Sequence, residues 1–166
     1  MRMRTLALSL TASTLAIGVA LAASPHFLKS SGSIESATGD YIASFKEAGL
    51  GNTPINYDLE ANTTYLFQCF TKSNNKPQGS PNAGGPSSEN TQTTITPSNG
   101  QITADIRLDV TFPPPSVSCN GNGLHLCLVS AKYTNVVLTD VTDNISEDLP
   151  DASITAGNKK FIACAD

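Results

Sequence analysis

Residues 124–141 read LHLCLVSAKYTNVVLTDV, the longest run of β-branched and aliphatic residues downstream of the N-terminal segment. Successive side chains of a strand alternate faces, so Cys127, Val129, Ala131 and Tyr133 fall on one side. From Val136 the apolar set changes parity, with Val136 and Leu138 leading and Asp140 following. A parity change inside one strand marks a bulge or bend, and Thr134-Asn135 is its expected place. The stretch reads as a core strand that crosses a sheet, bends, and continues beside a second layer.

Upstream of it, residues 101–112 alternate strictly. Ile102, Ala104, Ile106, Leu108, Val110 and Phe112 point inward, while Thr103, Asp105, Arg107, Asp109 and Thr111 face water. One dry face and one wet face is the pattern of an antiparallel sheet with a single buried side. Pro113-Pro114-Pro115 cannot continue a ladder and ends that strand. Pro97-Ser98-Asn99-Gly100 precedes it, and Asn-Gly is the dipeptide of a type I′ hairpin turn, so strands are expected on both sides. Residues 91–96 supply a Thr-rich partner.

Residues 73–89, SNNKPQGSPNAGGPSSE, hold three prolines and three glycines with almost no apolar content. They predict a long, exposed, mobile loop. Residues 55–61 and 64–71 read as two strands joined by a turn at Asn62-Thr63. Residues 41–46 alternate as a half-buried strand, and 33–37 read as a short first strand ending in a turn at Gly39-Asp40. Beyond the central stretch, 143–151 is acidic and turn-like, and 153–162 reads as a closing edge strand that carries Cys164 in. With no amphipathic helix in view, the fold class is all-β: an antiparallel β-sandwich of immunoglobulin-like architecture pinned by disulfides. An antiparallel barrel is the alternative.

Residues 1–22 read as a cleaved signal peptide. Arg2 and Arg4 form a positive n-region, residues 5–21 an apolar stretch, and Ala20-Leu21-Ala22 a small-residue cleavage site. A membrane anchor fits less well, because Thr5, Ser9, Thr11, Ser13 and Thr14 interrupt the stretch and no stop-transfer charges flank it. Residues 23–166 then form one sandwich domain, about 144 residues and long enough for a real core. Without Arg2 and Arg4 the 10 basic residues become 8 against 14 acidic ones, a net charge of −6. The basic residues are scattered, which excludes a nucleic-acid footprint and a polybasic membrane module. The expected product is secreted, extracellular and monomeric, with an extracellular protein or glycan as partner.

Cys69, Cys119, Cys127 and Cys164 all lie in the mature part, and an even count in an oxidising compartment reads as two disulfides. The shortest spacing, Cys119 to Cys127 with His125 between, matches zinc geometry poorly. Three connectivities are possible. Cys69–Cys119 with Cys127–Cys164 would close a long loop and pin the C-terminus to the central strand. A Cys119–Cys127 bridge across Asn120-Gly121-Asn122-Gly123 is the main alternative.

Catalytic constellations are sparse. Nucleophilic catalysis needs a base beside the nucleophile, yet the mature chain has only His26 and His125, and no G-x-S-x-G elbow. His125 reads as an exposed loop-edge residue. Asp105 and Asp109 flank Arg107 on one wet face and read as a charge-balanced strand. Asp140, Asp143 and Asp148, with Asn144, Glu147 and Asp151, form an oxygen-rich stretch that could hold calcium, although it lacks the EF-hand pattern. Phosphate loops and dinucleotide fingerprints are missing, so no cofactor is expected. The four tyrosines fall in predicted strands and no tryptophan exists, which leaves carbohydrate platforms without support. Asn62-Thr63-Thr64 and Asn144-Ile145-Ser146 fit the glycosylation acceptor pattern.

SFKEAGLGN (44–52), YLFQCF (65–70) with its following long segment, and SAKYTNVVLTD (130–140) resemble a family of small secreted β-rich proteins found mainly in actinobacteria and some fungi. That family has no assigned activity. The resemblance covers about 34–150 and supplies no catalytic residues. It implies recurrence of the cysteines matching Cys69 and Cys119, with Cys127 and Cys164 as an addition, and hence the pairing 69–119 and 127–164. The expected function is a non-enzymatic structural or interaction domain. The alternatives are a secreted hydrolase using dispersed carboxylates, with an acid pair converging in a cleft, or a calcium- or carbohydrate-binding module.

Overall fold

Alternation decides the architecture, because every long apolar run in the chain has period two. The computed structural model describes residues 24–112, 114, 116–157 and 160–165; the expected signal segment lies outside them. Within these residues the elements are β1 (His26–Ile34), β2 (Tyr41–Ala48), β3 (Ile55–Thr71), β4 (Pro77–Gly84), β5 (Ser88–Ile95), β6 (Gln101–Leu108), β7 (Leu124–Asp140), β8 (Ile145–Leu149), β9 (Ala152–Thr155) and β10 (Ala163–Cys164). No helix occurs among the described residues. All pairings are antiparallel, so the all-β reading holds.

The two 17-residue strands, β3 and β7, form the axis and pair from Tyr57 opposite Asp140 to Thr71 opposite Leu124. The far edge of β3 takes β5 along its first half and β4 along its second. The far edge of β7 takes β8, β9 and β10 in turn. A smaller sheet, β1-β2-β6, covers one face of this larger one, with β1 beside β8 and β9 and β6 beside β5. The core lies between the sheets and includes Tyr41, Phe45, Tyr57, Leu59, Phe67, Ile106, Leu108, Tyr133 and Leu138. Leu59 and Leu138 are direct cross-strand partners with no exposed surface, each worth about 1.5–3 kcal/mol of burial.

Two bulges re-aim β7. Glu60 pairs with Val137 but Asn62 with Thr134, so β7 carries an extra residue there. Asn135 adopts φ +51° at that point, where asparagine is tolerated better than most residues. The bend expected at Thr134-Asn135 is thus present. A second bulge was not legible. Leu66 pairs with Ser130 and Phe67 with Leu128, which leaves Val129 unpaired. The reading that put Cys127 and Val129 beside Ala131 and Tyr133 is therefore corrected. Leu126 and Leu128 join Ala131 and Tyr133 in the main core, while Cys127 and Val129 belong to a separate small cluster.

Four further expectations change. Asn62-Thr63 is no turn, because β3 runs unbroken and its buried positions from Ile55 to Phe67 (Ile55, Tyr57, Leu59, Ala61, Thr63, Tyr65 and Phe67) keep one parity. Residues 73–89 are exposed as expected, but they hold β4 and the start of β5. An exposed edge strand needs no apolar residues, and there Pro77 and Pro81 are tolerated. The first strand starts at His26 rather than 33; as an edge strand it has no fully buried position to mark it. Residues 143–151 contain β8 after a turn, and the closing edge is two short pieces, β9 and β10.

The Asn99-Gly100 turn has positive φ at both residues, and Ser98 and Gln101 exchange both backbone hydrogen bonds. Its flanking strands nevertheless diverge. β5 goes to the larger sheet and β6 to the smaller, so this tight turn is the crossing between layers.

Candidate functional site

The bulge at Val129 builds a groove on the outer face of the larger sheet. By turning Val129 outward it sets an apolar floor with Leu66 and Phe70 of β3. Pro77 and Pro81 of β4 stand on one side, and Thr155 to Gly157 with Lys160 on the other. The hollow measures about 370 Å³. At one end the C-terminal segment crosses the same cluster, with Phe161 packing edge-on against Phe70 (5.3 Å between ring centres) and against His125 (5.9 Å). Lys160 Nζ donates to the Asn74 carbonyl at 3.2 Å, tying this segment to the turn before β4. A larger hollow of about 580 Å³ over β3 and β5 is polar, with hydrogen bonds among its side chains: Thr94 donates to Asn56, and Gln92 to Asp58 Oδ2.

At the opposite end of β3 the fold assembles a carboxylate pair. Glu47 follows Tyr41, Ala43 and Phe45 on the buried parity of β2, and Asp140 follows Val136 and Leu138 on that of β7; neither has exposed surface. Tyr57 Oη donates to Glu47 Oε2 at 2.6 Å. Asp140 Oδ1 accepts from the backbone N–H of Thr142 (2.7 Å) and Asp143 (3.0 Å). Among the described residues one oxygen on each has no hydrogen-bond partner, Glu47 Oε1 and Asp140 Oδ2, and the charge of Asp140 bears on Glu47. Among the described residues no cation pairs with either. Desolvation, with the neighbouring Asp140 charge adding to it and the Tyr57 hydrogen bond opposing it, raises Glu47 to about 7. Burial and the same carboxylate push the Tyr57 hydroxyl up.

The residues singled out in the sequence separate. The calcium candidates are brought together only in part: Asp143, exposed on the turn, stays beside the enclosed Asp140, whereas Asp148 is exposed on β8 opposite Val137. Their neighbours serve as local hydrogen-bond acceptors, Glu147 for Ser30 Oγ and Asp151 for the Asn135 N–H. Arg107 bonds Glu35 and Asp40 and reaches Asp109 only at 3.9 Å. The acceptor asparagines Asn62 and Asn144 are both exposed, but Asn62 lies inside β3 and not on a turn. His125, expected at an exposed loop edge, is half-buried within β7, with Nε2 enclosed and unpartnered. The bridges are Cys69–Cys119 on the core side and Cys127–Cys164 on the outer face. All four tyrosines are buried, and each hydroxyl donates to protein: Tyr41 to Pro150 O, Tyr57 to Glu47, Tyr65 to Glu89 and Tyr133 to Gly39 O.

No family model matches this chain, and neither the curated proteins nor the solved structures hold a significant match to it.

Proposed function

We propose that the protein is a secreted, non-enzymatic interaction domain on an immunoglobulin-like sandwich, and that it binds an extended protein segment across the groove over Leu66, Phe70 and Val129. The observation that carries this reading is the apolar floor on a sheet face that otherwise presents polar side chains to water. Two disulfides agree with an extracellular setting, as does the resemblance to small secreted β-rich proteins. A protein partner is favoured over a glycan because every tyrosine is buried and no phenylalanine is exposed, leaving no flat aromatic platform. The hydrolase reading asks for an acid pair facing a cleft, and Glu47 and Asp140 are enclosed.

The test is to pan a displayed peptide library, and a glycan array in parallel, against the immobilised protein. Peptides with an apolar anchor should be enriched, bind wild type and Gln92→Glu alike, and lose at least tenfold in affinity on Leu66→Glu. An absence of enrichment, binding indifferent to Leu66→Glu, or glycan hits alone would overturn the reading.

A further inference from the structure

We propose that His125, Cys127 and Cys164 form a latent zinc site, closed by the Cys127–Cys164 disulfide and opened by its reduction. Residues two apart on a strand share a face, so His125 and Cys127 both project from the outer side of β7. Cys164 of β10 is the direct cross-strand partner of Cys127. Flanking hydrogen bonds, Ile162 N–H to Leu128 O and Ala165 N–H to Leu126 O, hold that register on either side of the pair. One His125 ring nitrogen and both sulfurs lie within 4.8 Å of one another. Two thiolates at about 2.3 Å and an imidazole at about 2.0 Å from one zinc ion are separated by roughly 3.5–3.8 Å, so little movement is needed once the S–S bond is gone.

A second, independent feature points the same way. Nε2 of His125 is enclosed and has no hydrogen-bond partner among the described residues, whereas a buried ring nitrogen ordinarily has one. Phe161 packs on the imidazole and on Phe70, giving the donors an apolar surround that fixes ring orientation and restricts water. Three protein donors leave one position of a tetrahedral ion open.

The opening step balances with an external dithiol as reductant. Its thiolate attacks Cys164 Sγ, which is half-buried, while Cys127 is fully enclosed. The S–S bond breaks, Cys127 leaves as thiolate, and the reductant's second thiol releases Cys164, itself ending as a disulfide. Zinc then binds both thiolates and the neutral imidazole, with two protons released to water.

The test uses the full chain, reduced under non-denaturing conditions, freed of reductant without oxygen, and titrated with Co²⁺ as the spectroscopic stand-in for zinc. The expected result is one equivalent bound, with a sulfur-to-cobalt charge-transfer band and the intense visible bands of a tetrahedral ion, displaced by Zn²⁺. His125→Ala should weaken Co²⁺ at least tenfold and Cys164→Ser should abolish the band, with circular dichroism reporting that each chain keeps its strands. The Cys164→Ser arm also separates this site from the Cys69 and Cys119 thiols on the other face. A reduced wild type that loses its fold, binds no cobalt, or binds it equally well in either variant overturns the proposal.

Discussion

Replacing Glu47 by glutamine should make the protein less sensitive to pH and more stable at neutral pH. Glu47 has no exposed surface, and burial beside Asp140 raises it from 4.5 to about 7. Between those values the native state keeps a proton that the unfolded chain has released. Stability is therefore fully present below about pH 4.5 and is lost as pH rises through about 7. The size of the loss is the shift of about 2.5 pH units at 1.36 kcal/mol each, on the order of 3 kcal/mol. Glutamine keeps the acceptor for Tyr57 and carries no charge into the buried site beside Asp140. It should match wild type within about 1 kcal/mol near pH 4.5 and exceed it by about 3 kcal/mol at pH 8, roughly 10 °C in Tm for a domain of this size. Urea denaturation of both proteins at half-unit steps from pH 4 to 8.5 measures the difference, in which the remaining carboxylates cancel. A difference that stays flat across this range would refute the reasoning.

Other consequences can be measured in the same way. Gly32→Ala drives a Cβ into the Tyr41 hydroxyl, which donates to Pro150 O; the overpacking should cost about 1–3 kcal/mol in urea denaturation. At Asn135, φ +51° makes Asn135→Gly tolerable, whereas Asn135→Val should lose about 1–2 kcal/mol. The purified chain should have an intact mass about 4 Da below its fully reduced form, the signature of two bridges. Removing the Cys69–Cys119 bridge by paired serine substitutions releases a separation of 50 residues and should cost about 4 kcal/mol on the chain-entropy model.

The fold class was legible because strict alternation in residues 101–112 and the parity change near Asn135 are physical consequences of a pleated sheet with one buried face. What escaped was of two kinds. Edge strands such as β1 and β4 have no fully buried position, so their backbone pairing leaves a weak hydrophobic trace. Where a strand is apolar on both faces the parity signal vanishes, and Leu126 to Val129 hid the second bulge in that way. Glu47 was in principle readable, since it continues the inward parity of Tyr41, Ala43 and Phe45. A carboxylate at such a position is the informative exception. The meeting of Glu47 with Asp140 was not readable, because it depends on how two sheets face each other. The groove was hidden for the same reason, its floor being assembled from two distant strands after an unforeseen bulge.

The long β3–β7 pairing has a consequence for the order of folding. Its nearest contact, Thr71 with Leu124, joins parts of the chain that no local turn connects, and such contacts wait on an improbable encounter before they return any stabilisation. Cys69 and Cys119 sit just beside that contact. Once bridged, they bring the ends of both strands together, and the remaining pairs can close one after another toward Tyr57 and Asp140. A bridge formed early at this position should therefore speed sheet assembly as well as stabilise the finished fold. A chain refolding with this bridge intact starts its search from a tethered nucleus, whereas a fully reduced chain must find the same register by diffusion.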